Sequence, residues 1–336
     1  MALAATSIFN DPYPYQRAIR AAEVEAFVTG QGSFHAELTR IDLGRVWMQR
    51  ARESLPRVLH YTTNGSRAPI IFLIDSDQSP MRHSGVRVAP GEVIIDGAAP
   101  EHHNRTEGAC HWGAMSLTPE DLAAAGRTLV GRELTATPVA RLVRPEPGAM
   151  SRLLALHAEA ERLAKSEPDR LEHPEMTKAL EQSFVHAMVA CLSEGTYSEM
   201  TSGGRHHAAI MARLEEFVAA NQDRPVYLAE ICTATGASER TLRTCCQEHL
   251  GMGPIRYLWL RRMHLTRRAL LQASAAAATV TAIATDHGFW ELGRFASEYR
   301  ALFGETPIAS LRRPASEPEE LAHDPDPLAL PFAVIG

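Results

Sequence analysis

The chain has 336 residues, enough for two domains of ordinary size that each bury a core without disulfides or metal ions. Its formal net charge of −6 excludes a surface that is basic throughout, and its five scattered cysteines do not form the even set of a disulfide framework. No signal-peptide pattern and no apolar run of about 18 residues occur, so we expect a cytoplasmic protein without a membrane partner.

Residues 33 to 144 carry short apolar runs that are broken by glycine, proline, aspartate and asparagine. Such runs, with alternating polarity and turn residues between them, are typical of strands. The stretch "VAPGEVIID", Val88 to Asp96, resembles the Pro-Gly turn and following strand of cupin-type barrels. We therefore predict an all-β domain of barrel or sandwich type within residues 1–145.

A barrel of this size holds one small molecule, so large and charged side chains within it are candidates for an effector site. The candidates are Trp47, Arg50, Arg52, His83, His102 and Trp112. Alternation along a strand puts Trp47 on the opposite face from Arg50 and Arg52, so the six cannot all face the lumen. The arginines favour an anionic ligand, although the general preference of this chain for Arg over Lys explains them equally well.

Four residues form the nearest match to the ligand spacing of metal-binding cupins: His102, His103, Glu107 and His111. Adjacent histidines in a strand point to opposite faces, so only one of His102 and His103 can face the lumen. Histidines at the surface or in loops are therefore the favoured interpretation. We accordingly expect no metal site, no cofactor and no catalytic residues.

The apolar period changes in residues 146–194. Leu180, Phe184, Met188 and Cys191 are spaced by four, four and three residues, which places them on one face of a helix. The predicted helices must cover either the barrel or the matching helices of a second subunit, and the sequence leaves both arrangements open.

Two further segments lack the apolar residues of a packed element. Residues 195–205 are rich in Gly, Ser and Thr, which suits a flexible linker. Residues 314–336 hold five prolines and five acidic residues but no Lys or Arg, so we expect a disordered tail.

Residues 206–313, between the linker and the tail, are predicted to form a second domain. From Arg205 to Arg313 the chain has 14 Arg and 10 acidic residues, a net charge of +4, so its positive charge collects here.

The second domain contains one unit twice. The segment "GASERTLRTCCQEHLGMGP", Gly236 to Pro254, aligns with "GFWELGRFASEYRALFGETP", Gly288 to Pro307. Each copy follows an apolar helix with a glycine-led turn, a helix whose apolar residues lie four apart, and then Gly and Pro. This pattern predicts two helix-turn-helix units, whose second helices are recognition helices that lie in the major groove of DNA.

The outward residues of each recognition helix are those between its inner-face positions. The inner faces are formed by Leu242 and Cys246 in the first copy and by Phe295 and Tyr299 in the second. The predicted DNA contacts are Arg240, Thr241, Arg243 and Thr244 in the first copy and Leu292, Gly293, Arg294, Ser297 and Arg300 in the second. The arginines other than Arg300 are the best candidates for recognising guanine, because a guanidinium pairs with guanine O6 and N7 in a bidentate manner.

A single predicted helix, "GPIRYLWLRRMHLTRRALLQ", joins the two copies. A rigid separation is needed if both units bind successive major-groove faces of one duplex, about 34 Å apart. Arg261 in this helix is predicted to contact phosphate, which orients a domain on DNA without reading its sequence. A solvated helix face explains the arginines of this helix equally well.

The segments "IRYLWLRRMHLTRRALL" and "VTAIATDHGFWELGRFASEYRALFGETPIASLRR" resemble the double helix-turn-helix domain of AraC/XylS-type transcriptional regulators. The resemblance covers residues 205 to 313 and depends on the two copies, the joining helix, and the Gly-Phe start and Phe-Gly-x-x-Pro end of the second copy. It implies double-stranded promoter DNA and RNA polymerase as partners, a β-barrel sensory domain before the double unit, dimerising helices that make a homodimer, and activation as the mode of regulation.

There are three alternatives to this interpretation. The barrel could merely dimerise or dock a partner, in which case no effector would alter the affinity for DNA. A metal-dependent cupin enzyme is disfavoured by the ligand spacing, and a repair methyltransferase joined to such a domain would need a Pro-Cys-His-Arg box and a cysteine-rich zinc site, which the sequence lacks.

The sequence therefore predicts an α+β multidomain protein. Its N-terminal part is a cupin-like β-barrel with following amphipathic helices, and its C-terminal part is an all-α domain with two helix-turn-helix units joined by a long helix. The predicted function is a non-enzymatic, sequence-specific transcription regulator that is controlled by a small-molecule effector in the barrel.

Overall fold

The computed structural model describes residues 3–20, 23–63, 65–96, 101–135, 140–199, 201–221, 224 and 226–313. The predicted disordered tail, residues 314–336, lies outside the described residues. The strands are β1 (Leu3–Phe9), β2 (Glu23–Val28), β3 (Ala36–Asp42), β4 (Trp47–Glu53), β5 (Arg57–Thr62), β6 (Ala68–Leu73), β7 (Met81–His83), β8 (Val86–Val88), β9 (Val93–Ile95), β10 (Glu101–Arg105), β11 (Cys110–Leu117), β12 (Arg141–Arg144) and β13 (Thr196–Glu199).

The helices follow the same chain order, and none of those described is both long and apolar enough to cross a membrane. They are α1 (Pro12–Ala18), α2 (Pro119–Val130), α3 (Pro147–Ser166), α4 (Pro168–Glu172), α5 (Pro174–Ser193), α6 (Ser202–Ala219), α7 (Leu228–Thr235), α8 (Glu239–Leu250), α9 (Pro254–Gln272), α10 (Val280–Asp286), α11 (Leu292–Phe303) and α12 (Pro307–Arg312).

Two antiparallel sheets form the N-terminal part. The large sheet has the strand order β1-β3-β4-β11-β6-β9-β12-β13, and the small sheet has the order β2-β5-β10-β7-β8. Because side chains alternate along a strand, Ala51 of β4 contributes to the core between the sheets, whereas Met48, three residues earlier, contributes to a core on the outer face. A β-rich N-terminal part followed by a helical C-terminal part confirms the predicted α+β class.

Three apolar cores are stacked through the molecule. Leu38 of the large sheet and Met81 of the small sheet share the core between the sheets. Phe184 of α5 belongs to the second core, on the outer face of the large sheet. Phe27 and Val58 on the outer face of the small sheet join the third core, which is that of the C-terminal helices. The small sheet is therefore covered on both faces.

The apolar face predicted for residues 146–194 is buried within the chain itself. Leu180 is 7% exposed, and Phe184, Met188 and Cys191 are fully buried, in the core shared with the large sheet. Of the two arrangements that the sequence left open, the structure contains the one in which these helices cover the barrel. A homodimer would have to use other residues.

A helix interrupts the stretch that was expected to be all strands. Thr118 caps α2 by accepting a hydrogen bond from the backbone N–H of Asp121 at 3.1 Å, and Pro119 occupies the first helical position, where proline is favourable. A threonine and proline between apolar runs thus begin a helix here rather than a turn.

The predicted flexible linker is also wrong as a description of residues 195–205. The segment contains β13, which pairs with β12, and the first turn of α6. A Cβ atom on Gly195 would lie 2.6 Å from Cγ1 of Val143, so the glycine is needed for close packing of the chain at this point.

Candidate nucleic-acid interface

The first helix-turn-helix unit consists of α7 and α8. Gly236 between them has a φ of 65°, a left-handed conformation that glycine adopts at little cost. Ser238 caps α8 by accepting a hydrogen bond from the N–H of Thr241 at 3.2 Å, and Leu242 and Cys246 are fully buried. The residues exposed on this helix include Arg240, Arg243, Thr244 and Gln247. The helical period predicted all of them except Gln247, which extends the same face by one turn.

The second unit consists of α10 and α11. Phe295 and Tyr299 are buried, and the hydroxyl of Tyr299 is 2.7 Å from the hydroxyl of Ser310 in α12. The ring of Phe289 lies 4.8 Å from that of Phe295 and fixes the turn before the recognition helix. The exposed residues of α11 include Leu292, Gly293, Arg294, Ser297 and Arg300. Trp290, just before the helix, is 73% exposed and adds an aromatic side chain to this surface.

The joining helix α9 connects to the second recognition helix directly. It has 19 residues, so it is about 28 Å long. The indole N–H of Trp259 donates a hydrogen bond of 3.0 Å to Glu298 of α11, and the guanidinium of Arg256 lies 3.8 Å from the Trp259 ring centroid. The long helix therefore sets the orientation of α11.

The candidate base-recognising arginines are held on the surface by weak pairs within their own helices. Arg243 is 2.6 Å from Glu239, and Arg294 is 2.9 Å from Glu298. Their side chains are 61% and 71% exposed. Exposed pairs of this kind contribute little to stability, so DNA phosphates and bases can replace the glutamates as partners.

Arg261 corrects the sequence prediction. Its Nη2 atom is 2.9 Å from Oε2 of Glu25, its Nη1 atom is 3.1 Å from Oε2 of Glu215, and the residue is only 4% exposed. Two carboxylates thus neutralise the guanidinium beneath the small sheet, where it has no access to phosphate. Helical periodicity gave no signal for this contact, because Glu25 lies in the other domain.

Buried polar and aromatic contacts join the two domains. Glu215 of α6 accepts a hydrogen bond from Nε2 of His103 of β10, at 2.9 Å. Burial opposes ionisation of Glu215, but His103, His60 and Arg261 together outweigh it and lower its pKa to about 2. Phe27 of β2 packs edge-on against Tyr257 of α9, with ring centroids 5.8 Å apart. The helical domain is therefore docked on the small sheet through both ion pairs and apolar surface.

The predicted effector-site residues of β4 do not share a face. Arg50 is buried on the outer face of the large sheet, where its Nε atom lies 2.8 Å from Glu161 of α3. Arg52 is on the same face but exposed, and its Nη2 atom is 3.0 Å from Nδ1 of His111. Trp47 lies on the opposite face, as alternation predicted.

The other three predicted effector-site residues lie between the sheets. The indole N–H of Trp112 donates a hydrogen bond of 2.8 Å to buried Glu53. His83 and His102 both approach Oδ1 of Asp96, at 2.6 Å and 3.7 Å. Burial alone would raise the pKa of Asp96, but His102 and His83 outweigh it and hold that pKa below its usual value. Of the six candidates, His83 and His102 converge on one carboxylate.

The expectation of surface or loop histidines is wrong. His102, His103 and His111 are each 3% exposed or less, and they lie in β10 and β11, whereas Glu107 is exposed. The prediction from strand alternation is confirmed, because His102 points into the space between the sheets and His103 points toward α6. The four residues do not converge on one point.

The C-terminal part of the chain matches a helix-turn-helix domain family over residues 231–313. It is 38% identical over 97 residues to the probable thc operon regulatory protein of Rhodococcus erythropolis, a match that covers 29% of each chain. It is 36% identical over 101 residues to XylDLEGF operon transcriptional activator 1 of Pseudomonas putida, with 30% of each chain covered. The chain thus spans less than a third of the length of these relatives.

Among solved structures, the chain is similar to the AraC-like transcriptional activator CuxR, at 16% sequence identity and a TM-score of 0.40. That match covers 85% of this chain and 100% of the other.

Two helix-turn-helix units with exposed second helices, joined to a β-rich domain, define a two-domain protein whose C-terminal domain is of a DNA-binding class. That domain matches the corresponding part of named operon regulators. The C-terminal domain of the chain is thus a helix-turn-helix domain similar to those of AraC/XylS-type transcriptional regulators.

Proposed function

We propose that this regulator binds double-stranded promoter DNA in a sequence-specific manner by placing α8 and α11 in successive major-groove faces. The observation that carries the proposal is the matched exposure of the two recognition helices, each of which buries its apolar face and presents arginine outward. The predicted DNA contacts other than Arg261 all lie on these two helices.

We further infer that an effector controls DNA binding through the N-terminal domain. The support is the docking of the helical domain on the small sheet, which couples any change in the barrel to the orientation of α9. A crevice of about 350 Å³ lies at this junction, between β10 and the start of α9. Arg105 and Arg256 line it, together with Leu250, Met252 and Glu107, which pairs with Arg105. Arg256 and the apolar side chains suit an anionic ligand with an apolar part.

Activation is the proposed mode of regulation, because the Pseudomonas relative is named as a transcriptional activator. RNA polymerase is then the partner that an activator recruits. A homodimer is proposed as the form that binds DNA, through a surface other than the buried face of α5.

The test is selection of bound duplexes from a random-sequence pool at about 0.15 M salt, where non-specific binding is weak. We expect the full-length protein to retain sequences with two short boxes about one helical turn apart. A variant with Arg240→Ala, Arg243→Ala and Arg294→Ala should retain none of them. Retention of the same boxes by this variant, or uniform retention of all sequences by the unmodified protein, would contradict the proposal.

A further inference from the structure

Three side chains meet between the two sheets, in a place that DNA binding does not use. His83 comes from β7, His102 from β10, and Asp96 directly follows β9, so both sheets contribute. One nitrogen of each imidazole and one carboxylate oxygen lie within 4.8 Å of one another. Imidazole and carboxylate are common ligands of divalent transition metals.

This cluster is not an ordinary hydrogen-bonded core. His83, His102 and Asp96 are 0%, 2% and 3% exposed. Nε2 of His83 pairs with Oδ1 of Asp96 at 2.6 Å, whereas Nδ1 of His83 has no hydrogen-bond partner among the described residues. Leaving a buried polar group unpaired costs about 1–3 kcal/mol. Histidine nitrogens and a carboxylate oxygen that converge in a buried place can act together as ligands of one metal ion.

A neighbouring tyrosine orients the carboxylate. The hydroxyl of Tyr61 donates a hydrogen bond of 2.9 Å to Oδ2 of Asp96, which leaves Oδ1 facing the two histidines. The ring of Tyr61 also stacks on that of His102, with centroids 5.2 Å apart. Such supporting contacts fix the orientation of metal ligands and tune their affinity.

We propose that His83, Asp96 and His102 form a binding site for one divalent first-row transition-metal ion of the zinc class. Two histidines and one carboxylate suit zinc, iron(II), cobalt(II) and nickel(II), and they leave a coordination position for water or a small ligand. The ion would link the small sheet to the large sheet.

A second cluster with similar composition fits a metal less well. His60, His103 and Glu215 also place their ligand atoms within 4.8 Å of one another. Glu215, however, accepts a hydrogen bond from His103 and pairs with the guanidinium of Arg261. That positive charge repels a cation, so this cluster supplies matched control residues.

The test is titration of full-length, chelator-treated protein with Co²⁺ in the absence of DNA, followed by visible absorption and displacement with Zn²⁺. One Co²⁺ per chain is expected, with the d–d bands of a site of low symmetry. His83→Gln and Asp96→Asn should abolish binding, whereas His103→Gln should leave it unchanged. Tyr61→Phe should weaken it about 10- to 100-fold, as loss of a supporting hydrogen bond does in other metal sites.

Circular dichroism shows which variants fold. If the His83 and Asp96 variants do not, Tyr61→Phe and His103→Gln still decide the question. Absence of Co²⁺ uptake by the unmodified protein would overturn the proposal, and so would uptake that is lost in His103→Gln but kept in Tyr61→Phe. Because no DNA is present, neither result depends on the proposed DNA-binding function.

Discussion

Arg294 is the side chain of α11 best placed to distinguish one base pair from another. It lies in the first turn of the recognition helix, its side chain is 71% exposed, and its partner Glu298 is on the same helix. We predict that Arg294→Ala lowers the preference for the favoured base pair at one position by about 5- to 150-fold, the loss expected for a bidentate contact with guanine. Fluorescence anisotropy on duplexes that carry each of the four base pairs at each position measures the change.

Arg294→Lys is the matched control, because lysine keeps the positive charge but not the planar pair of donors. It should retain affinity for the phosphate backbone and lose most of the base preference. If both variants weakened binding to all duplexes by the same factor, Arg294 would contact phosphate alone.

The glycines that follow the C-terminal ends of the two recognition helices differ in the space around them. Gly251 after α8 and Gly304 after α11 both have a φ of 72°. A Cβ atom on Gly251 would lie 2.3 Å from Nη1 of Arg105 in β10, whereas nothing in the described part of the chain lies within 4 Å of one on Gly304. We predict that Gly304→Ala costs about 1–2 kcal/mol, the strain of a left-handed alanine. Gly251→Ala should cost more, because it also displaces Arg105 across the domain interface.

Urea unfolding of the two variants, followed by circular dichroism, measures the free energies of unfolding. Equal losses would mean that the Arg105 side chain moves aside freely and does not contribute to docking.

The sequence predicted those elements whose determining residues lie close together in the chain. Ser238, Leu242 and Cys246 fall within three turns of one helix, so capping preference and apolar period are enough to place α8 and its outward face. The contact between Arg261 and Glu25 joins distant segments of the chain. It could not be predicted, because periodicity assigns a residue to a helix face but does not identify the residue it contacts. Alternation likewise predicted that His102 and His103 lie on opposite faces of the sheet. It could not predict that both are buried, because both faces of the small sheet are covered.

At the scale of the whole molecule, the small sheet is the layer through which the two domains are coupled. One face of it meets the large sheet, and the other face carries Glu25, Phe27 and His103 toward the helical domain. Only the small sheet therefore separates the core between the sheets from α9, so a rearrangement in that core would also displace residues that contact α9. The buried ion pairs of this layer are therefore the point at which to test whether the proposed effector control reaches the helical domain.

Glu215 is the carboxylate on which this docking depends most. It is 1% exposed and lies between His103 and Arg261. We predict that Glu215→Gln lowers the free energy of unfolding at pH 7 by about 3 kcal/mol, because it leaves a buried guanidinium with one carboxylate fewer. Glu216→Gln, an exposed neighbour on α6, should change it little. Urea unfolding of the full chain measures both.

The ionisation of Glu215 makes the free energy of unfolding depend on pH with a defined sign. The pKa of Glu215 is lowered from 4.5 to about 2 in the folded protein, so its stabilising contribution is complete above pH 4.5 and is lost as the pH falls toward 2. The difference in stability between the unmodified protein and Glu215→Gln should therefore be constant near neutral pH and shrink over that acidic range. A difference that stayed constant down to pH 2 would show that the carboxylate does not bind its proton in this range, and a difference of zero at pH 7 would show that water, rather than His103 and Arg261, surrounds it.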